Sequence, residues 1–355
     1  MHILQEVSLP QNLLKPRAIT AFETLPGADP ADIKLLALTT DGELWKLDLN
    51  TGAAEHLLQL RLPDFDPKLP VQLVASPDGK FAGISNRFGR YAGVYDLSAK
   101  TLNIQRSRGD YYTEVSTFPL AFVPDRDKWL LVHGSDWNRL DLSDPATGGL
   151  LTARQDNERE ADYFHGRLRV SPGGQWIADS GWVWGPAGIL QSWSVSNWTA
   201  NPWEPDDGPS VRPLWQTEDW DLPVCWTGPT QVAVWGHVDA ELLDEEDQGE
   251  EGTSPVIVIF DMERPEYRKV LHGMPAFSCG TVGTDGHFNP RADMAAKGDR
   301  LFLWGKNVPF QVWRISTGKR EYIGSEYEAL LYHHLSGLFI ELLPGKDGFK
   351  VLSYT

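Results

Sequence analysis

Among the nine histidines and 49 acidic residues of this 355-residue sequence, His133, His165 and His237 are expected near one rim, with Asp110, Glu114 and Asp136 as neighbours, and these six side chains have the chemistry to hold a metal or move a proton. Imidazole and carboxylate ligands gathered at one mouth would make a metal-dependent hydrolase or lyase. Nothing in their spacing demands that they meet, and histidines hydrogen-bonded within the structure are the competing reading. The sequence contains no Gly-x-x-x-x-Gly-Lys-Ser/Thr, Gly-x-Gly-x-x-Gly, Gly-x-Ser-x-Gly or His-Glu-x-x-His pattern and no calcium-hand loop. Phosphate cradles and familiar nucleophiles are therefore unsupported. Cys225 and Cys279 are the only cysteines. Two are too few for a thiolate zinc site or a disulfide framework, and both lie in apolar strand-like runs, so they read as buried and inert. No catalytic residue, cofactor or metal is assigned, and His333-His334 receives no role.

A second set of residues suits binding. "SNRFGRYAG" carries Arg87, Arg90 and Tyr91, "HGSDWNRLD" carries Asp136, Trp137, Asn138 and Arg139, and "SGWVWGPAG" carries Trp182 and Trp184. Upstream of such stretches stand Asp110, Tyr111 and Tyr112 in "GDYYTE", and Tyr163, Phe164 and His165 in "ADYFHG". The same acid-aromatic echo returns in "EDWDLP" and "SEYEAL". Aromatics and arginines dominate binding hot spots, and acids beside aromatic faces suit a cationic ligand. In the structural alternative the arginines stack on the rings, the rings wedge between sheets, and the carboxylates cap turns.

These residues need elements to carry them, and a repeat supplies those. "ASPDGKFAGIS" and "VSPGGQWIADS" match closely, and "FVPDRDKWLLVHG" is a longer copy. Each is an apolar strand, a Ser-Pro-x-Gly type of turn and a second strand, which is a hairpin signature. Third strands follow that end alike: "LWKLDLNTG", "GVYDLSAK", "NRLDLSDPATG", "VIVIFDMERPE" and "FQVWRISTGK". The unit recurs at about 40 to 65 residues. Fourth strands such as "AAEHLLQL" and "KREYIG" complete units of four antiparallel strands, as a propeller blade requires.

First strands near Ala18, Val71, Leu120, Leu168, Pro223, Phe277 and Leu330 predict an all-β, seven-bladed β-propeller occupying residues 1–355 as one domain. The last unit has only three strands, while "HILQEVSL" at the start has no hairpin partner. Residues 2–8 are therefore expected to be the outer strand of blade seven, closing the ring. Trp129, Trp176, Trp193, Trp235 and Trp313 fall where large rings fill the wedge between blades. Trp182 and Trp184 fall at a hairpin tip on the rim. Residues 237–255 read as an acidic loop inserted in blade five, and 196–221 as a packed loop after the third strand of blade four.

The Ser-Pro-Asp-Gly turns, with the third-strand endings Val94-Tyr95-Asp96, Leu140-Asp141 and Phe260-Asp261, make the chain resemble a divergent WD (tryptophan-aspartate) repeat β-propeller. The family's Gly-His pair is missing from its usual place, and Tyr, Leu or Phe replaces Trp in several third strands. Its Asp-His-Ser/Thr-Trp hydrogen-bond relay is accordingly not carried over. What the resemblance implies is a rigid platform for partners.

The formal net charge is -17 and the pI about 4.9. Such a field repels phosphate backbones and anionic lipid, which argues against nucleic-acid or membrane partners. The acidic loop could steer a basic partner by long-range attraction. No apolar run approaches the ~18 residues of a membrane span, and the start lacks a basic-then-apolar signal pattern, so a cytoplasmic protein is expected. The expected function is a non-catalytic protein- or peptide-binding scaffold using the rim loops of blades two to four. A metal-dependent hydrolase or lyase with its site at the channel mouth is the alternative.

Overall fold

The structure is a computed structural model that describes residues 1–9, 19–26, 29, 31–154, 161–237, 255–275, 292–305, 307–327, 330–343 and 348–354. It is an all-β, seven-bladed propeller of antiparallel blades. The chain divides into two compact units. The first comprises Met1–Thr113, Leu120–Leu151 and Ala329–Thr355; the second comprises Glu114–Pro119 and Thr152–Glu328.

In the first unit, strand β1 (His2–Ser8) pairs with β27 (Gly348–Ser353), which is followed inward by β26 (Leu338–Leu342) and β25 (Leu330–His333). The expected closure of blade seven by residues 2–8 is thus present. Blade one is β2 (Ile19–Leu25), β3 (Lys34–Thr39), β4 (Glu43–Asp48) and β5 (Ala53–Gln59). Blade two is β6 (Val71–Ala75), β7 (Phe81–Asn86), β8 (Tyr91–Asp96) and β9 (Thr101–Ser107). Blade three has β10 (Leu120–Asp125), β11 (Lys128–Asp136) and β12 (Arg139–Ser143), and among the described residues a single Ser143–Leu150 bridge follows on the outer edge. Neighbouring first strands lie side by side in the order β25, β2, β6, β10. Apolar cores fill the gaps between blades seven and one, around Leu35, Trp45 and Phe349, and between one and two, around Leu38, Ile84 and Tyr95.

In the second unit, blade four is β13 (Phe164–Val170), β14 (Trp176–Val183), β15 (Ala187–Ser194) and β16 (Arg212–Thr217). Blade five is β17 (Val224–Trp226), β18 (Gln231–His237), β19 (Pro255–Asp261) and β20 (Arg268–Leu271). Blade six is β21 (Ala292–Lys297), β22 (Arg300–Gly305), β23 (Val308–Arg314) and β24 (Lys319–Glu326). One continuous core, centred on Trp235, Ile257 and Leu303, spans these sheets.

The repeated turns explain themselves in atoms. The Ser76 hydroxyl accepts the Phe81 N–H (2.9 Å) and Ser171 accepts that of Trp176 (3.1 Å). Gly79 and Gly174, at φ +70° in both cases, take the left-handed corner. At the third-strand ends, Asp48 and Asp96 accept two backbone N–H groups each from the following turn. In blade three that position belongs to Asp144, not to Asp141 as the sequence pattern suggests.

Two further expectations are corrected. Blade six begins at Ala292, not near Phe277, which lies with Cys279 outside the described residues. The stretch 196–221 is more than a loop. It holds short helices α1 (Val195–Ala200) and α2 (Glu204–Asp207) and supplies β16, the outer strand of blade four. Helix α1 starts where the Ser194 hydroxyl accepts the Asn197 N–H. Residues 238–254 of the acidic loop lie outside the described residues.

Candidate functional site

In the first unit three segments converge. The turn between β7 and β8 brings Arg87 and Arg90, the turn between β11 and β12 brings Asp136 to Arg139, and the connection after β9 brings Asp110 to Tyr112. Arg108 ties the first of these to the last: buried itself, it donates through Nε to the Gly89 carbonyl (3.0 Å) and through Nη2 to that of Thr113 (3.2 Å). Tyr112 sits at φ +51°, a left-handed backbone that a bulky residue holds only when its surroundings impose it.

The loop so fixed presents aromatic surface. Tyr111 is 45 % and Tyr112 39 % exposed. The two rings meet edge to face at 4.8 Å, and Tyr111 meets Trp137 in the same way at 5.3 Å. Trp137 is half-buried and Asn138 buried, while Asp110 and Asp136 are exposed. Arg90 lies 3.7 Å from Asp110 and over the Tyr91 ring, and Arg87 lies over Phe88. Exposed ion pairs of this length contribute little to stability, so Arg90 and Asp110 are better regarded as a charged border to the rings. Arg139 turns inward to the buried carboxylate of Asp141 (3.0 Å).

In the second unit the expected rim residues are mostly interior. Trp182 is only 3 % exposed. It stacks on Phe164 (3.9 Å, 7° between planes) and Trp220 (5.4 Å), and its Nε1 donates to the Ser116 hydroxyl (2.7 Å). Tyr163, Phe164 and His165 are buried as well. The physical reason is the acid-aromatic echo: its rings wedge into the blade interior here, as the structural alternative required. Trp184 alone points outward, at 45 % exposure, edge-on to Phe164 and Trp182.

Around Tyr163 the packing leaves no slack. Its hydroxyl sits between the Asp179 and Ile189 carbonyls (3.1 and 3.0 Å) and accepts the Gly181 N–H (2.8 Å). A Cβ at Gly181 would overlap that ring. Burial, and then the Asp179 carboxylate, push the phenol well above its ordinary range, so it stays protonated. His165 Nδ1 lies 2.7 Å from Asp179, which also accepts the Gly166 N–H. A carboxylate can only accept here, so Nδ1 carries the proton.

The histidines of the metal reading are thus accounted for separately. His133 is buried in the first unit, with Nδ1 3.1 Å from the Gly134 carbonyl and Nε2 2.9 Å from the Ser143 hydroxyl. His237 lies 3.9 Å from Asp219, and Glu114 is exposed. No group of three or more His, Cys, Asp or Glu able to hold a metal occurs among the described residues. Burial pushes the Cys225 thiol up, leaving a protonated, unreactive side chain.

His133 makes a pH prediction. Burial, the largest cause, pushes it down to about 4 from an ordinary 6.5. Between those values the unfolded chain binds a proton that the folded chain refuses, so stability present above pH 6.5 is lost as pH falls toward 4. The shift corresponds to about 3 kcal/mol. Urea unfolding at both ends of this window should show that loss, and His133→Asn, which cannot titrate, should flatten it by a comparable amount.

No family model matches the chain, and no curated protein matches it in sequence. Solved structures share its fold. A chain of the Kuenenia stuttgartiensis hydrazine synthase is similar with TM-score 0.59 and 13 % identity, covering 92 % of this chain and 94 % of that one. U3-55K, a WD-repeat protein, is similar with TM-score 0.58 and 10 % identity, covering 99 % and 98 %. At such identities the likeness concerns the fold alone.

Proposed function

We propose that this propeller is a non-catalytic scaffold that binds a protein or peptide through its rim loops, with Tyr111, Tyr112 and Trp137 as anchors. One observation carries the reading: two exposed tyrosines, braced edge to face against each other and a tryptophan, on a loop whose backbone is already fixed. Tyrosine and tryptophan offer wide contact area with few rotatable bonds, so little entropy is lost when a partner covers them. Arg90, Asp110 and Asp136 would form the polar border that excludes water from such an anchor. Trp184 is a further exposed ring, on the second unit. A cytoplasmic setting and a partner with basic segments, drawn by the net charge of -17, belong to the same proposal. The WD-repeat resemblance and the shared fold of U3-55K are in keeping with a platform role.

Truncating true anchors costs at least about 2 kcal/mol each, or roughly thirtyfold in affinity. The triple change Tyr111→Ala, Tyr112→Ala, Trp137→Ala should therefore abolish specific capture from lysate of the native host, with thermal unfolding little changed. Ile323→Ala, an exposed apolar residue on the outer strand of blade six, should leave capture intact. A folded triple variant that keeps every partner of the unaltered protein would sink the proposal.

A further inference from the structure

The first strands of the second unit, β13, β17 and β21, lie side by side, while each pairs within its own blade on one edge only. Across this inner edge two guanidiniums share one carboxylate. Arg167 on β13 donates through Nη2 to Asp293 Oδ2 on β21 (2.5 Å). Arg169 reaches the same Asp293 through Nη2 (3.3 Å to each oxygen) and donates through Nε to the Val224 carbonyl on β17 (3.2 Å). Burial alone would raise the Asp293 carboxyl, but Arg167 and Arg169 outweigh it and hold the group below the usual carboxylate range. Asp293 is therefore ionised, a single carboxylate facing two guanidiniums.

Arg167 is the side chain with capacity to spare. A guanidinium presents two parallel N–H pairs, and the bond from Nη2 to a single Asp293 oxygen leaves one pair unused. Its Nε and Nη1 have no protein acceptor among the described residues, and the side chain is 16 % exposed. A planar donor pair beside a second guanidinium matches an oxyanion with three or more oxygens.

We propose that Arg167 and Arg169 form an oxyanion-binding site on the inner edge of the second unit, taking a compact anion of the phosphate class. Asp293 fixes the guanidiniums in place and, as a like charge beside the anion, limits its affinity. The site is independent of the aromatic rim. In the competing account the same three residues only brace blade four to blade six. The two accounts diverge for Asp293→Asn: a brace is weakened, whereas an anion site loses its competing charge.

The test is a calorimetric titration of the full chain with inorganic phosphate at low ionic strength, with sodium chloride at matched ionic strength as control. We expect saturable binding below about 10 mM, weakened at least about tenfold by Arg167→Gln and tightened about tenfold by Asp293→Asn. Circular dichroism checks folding of each variant. Should Arg167→Gln fail to fold, the unaltered protein and Asp293→Asn still decide the matter. Absence of saturable binding by the unaltered protein, or an Asp293→Asn variant that folds and binds no tighter, overturns the site and leaves the brace.

Discussion

Trp193→Ala is expected to lower the unfolding free energy by about 3–5 kcal/mol, whereas Trp193→Phe should cost less than about 1.5 kcal/mol. Trp193 lies fully buried on β15, opposite Ile177 in the ladder, and meets Trp198 of α1 edge to face at 5.9 Å. Strand β15 is paired on both sides, with β14 and β16, so the backbone cannot close in on a deleted indole. The contrast with phenylalanine rests on a polar atom. The indole Nε1 is buried and has no hydrogen-bond acceptor among the described residues. Removing it forfeits no hydrogen bond and relieves a desolvated donor, which offsets part of the lost ring volume. Urea unfolding of both variants measures the difference. Equal loss in the two would mean that the nitrogen has a partner and that the residue is more than a wedge.

Periodicity made the architecture legible because a propeller repeats its local chemistry. The Ser-Pro-x-Gly corners could be read directly, since only glycine takes the left-handed turn cheaply and only a short hydroxyl side chain reaches the following N–H. The lone strand at residues 2–8 was legible as an unpaired edge in need of a blade. The start of blade six was misplaced because its first strand, "ADMAAK", is built of small residues with weak strand preference, while the run near Phe277 has the stronger strand pattern in sequence. Strand β16 escaped notice for a related reason. Its "RPLWQT" contains a proline, which an outer strand tolerates and a sequence pattern penalises. The Asp141 and Asp144 exchange arose because both aspartates lie within three residues of the turn; only hydrogen bonding separates them.

Side-chain exposure was far less legible. A period of two places Trp182 and Trp184 on the same side of a strand. It does not say that the aromatic segment 163–165 and Trp220 will cover one and miss the other. The acid-aromatic echo turns inward at Tyr163, and at Trp220 it lays a half-buried ring on Trp182. It departs from both uses at Tyr111 and Tyr112, where Tyr112 takes φ +51° and both rings emerge. Backbone sign at a tyrosine has no signal in composition or spacing. The buried tie that holds this loop, Arg108, carries no sequence signal either, since nothing in the residues around it marks an arginine as buried. The Arg167, Arg169 and Asp293 grouping was equally invisible, since over 120 residues separate Asp293 from the two arginines in sequence.

Arg154→Met should destabilise the second unit by about 3–5 kcal/mol, because it strands a buried carboxylate. Arg154 and Asp206 form an ion pair with both side chains almost wholly buried, and the guanidinium lies 4.4 Å over the ring of Trp203. Asp206 belongs to α2, so this pair clasps the helical segment that leads into β16. Taking the guanidinium away leaves Asp206 buried without a counter-charge, facing only the Ala161 N–H at 3.4 Å among the described residues, which penalises the folded state. Desolvating the two charges nearly cancels their attraction, however, so the double variant Arg154→Met, Asp206→Leu should regain most of the loss. Chemical denaturation of the two singles and the double closes the cycle, with a coupling well above the fraction of a kcal/mol expected for surface pairs. A double variant as unstable as the sum of the singles would show that the clasp acts through its shape and ring contact, with charge pairing secondary.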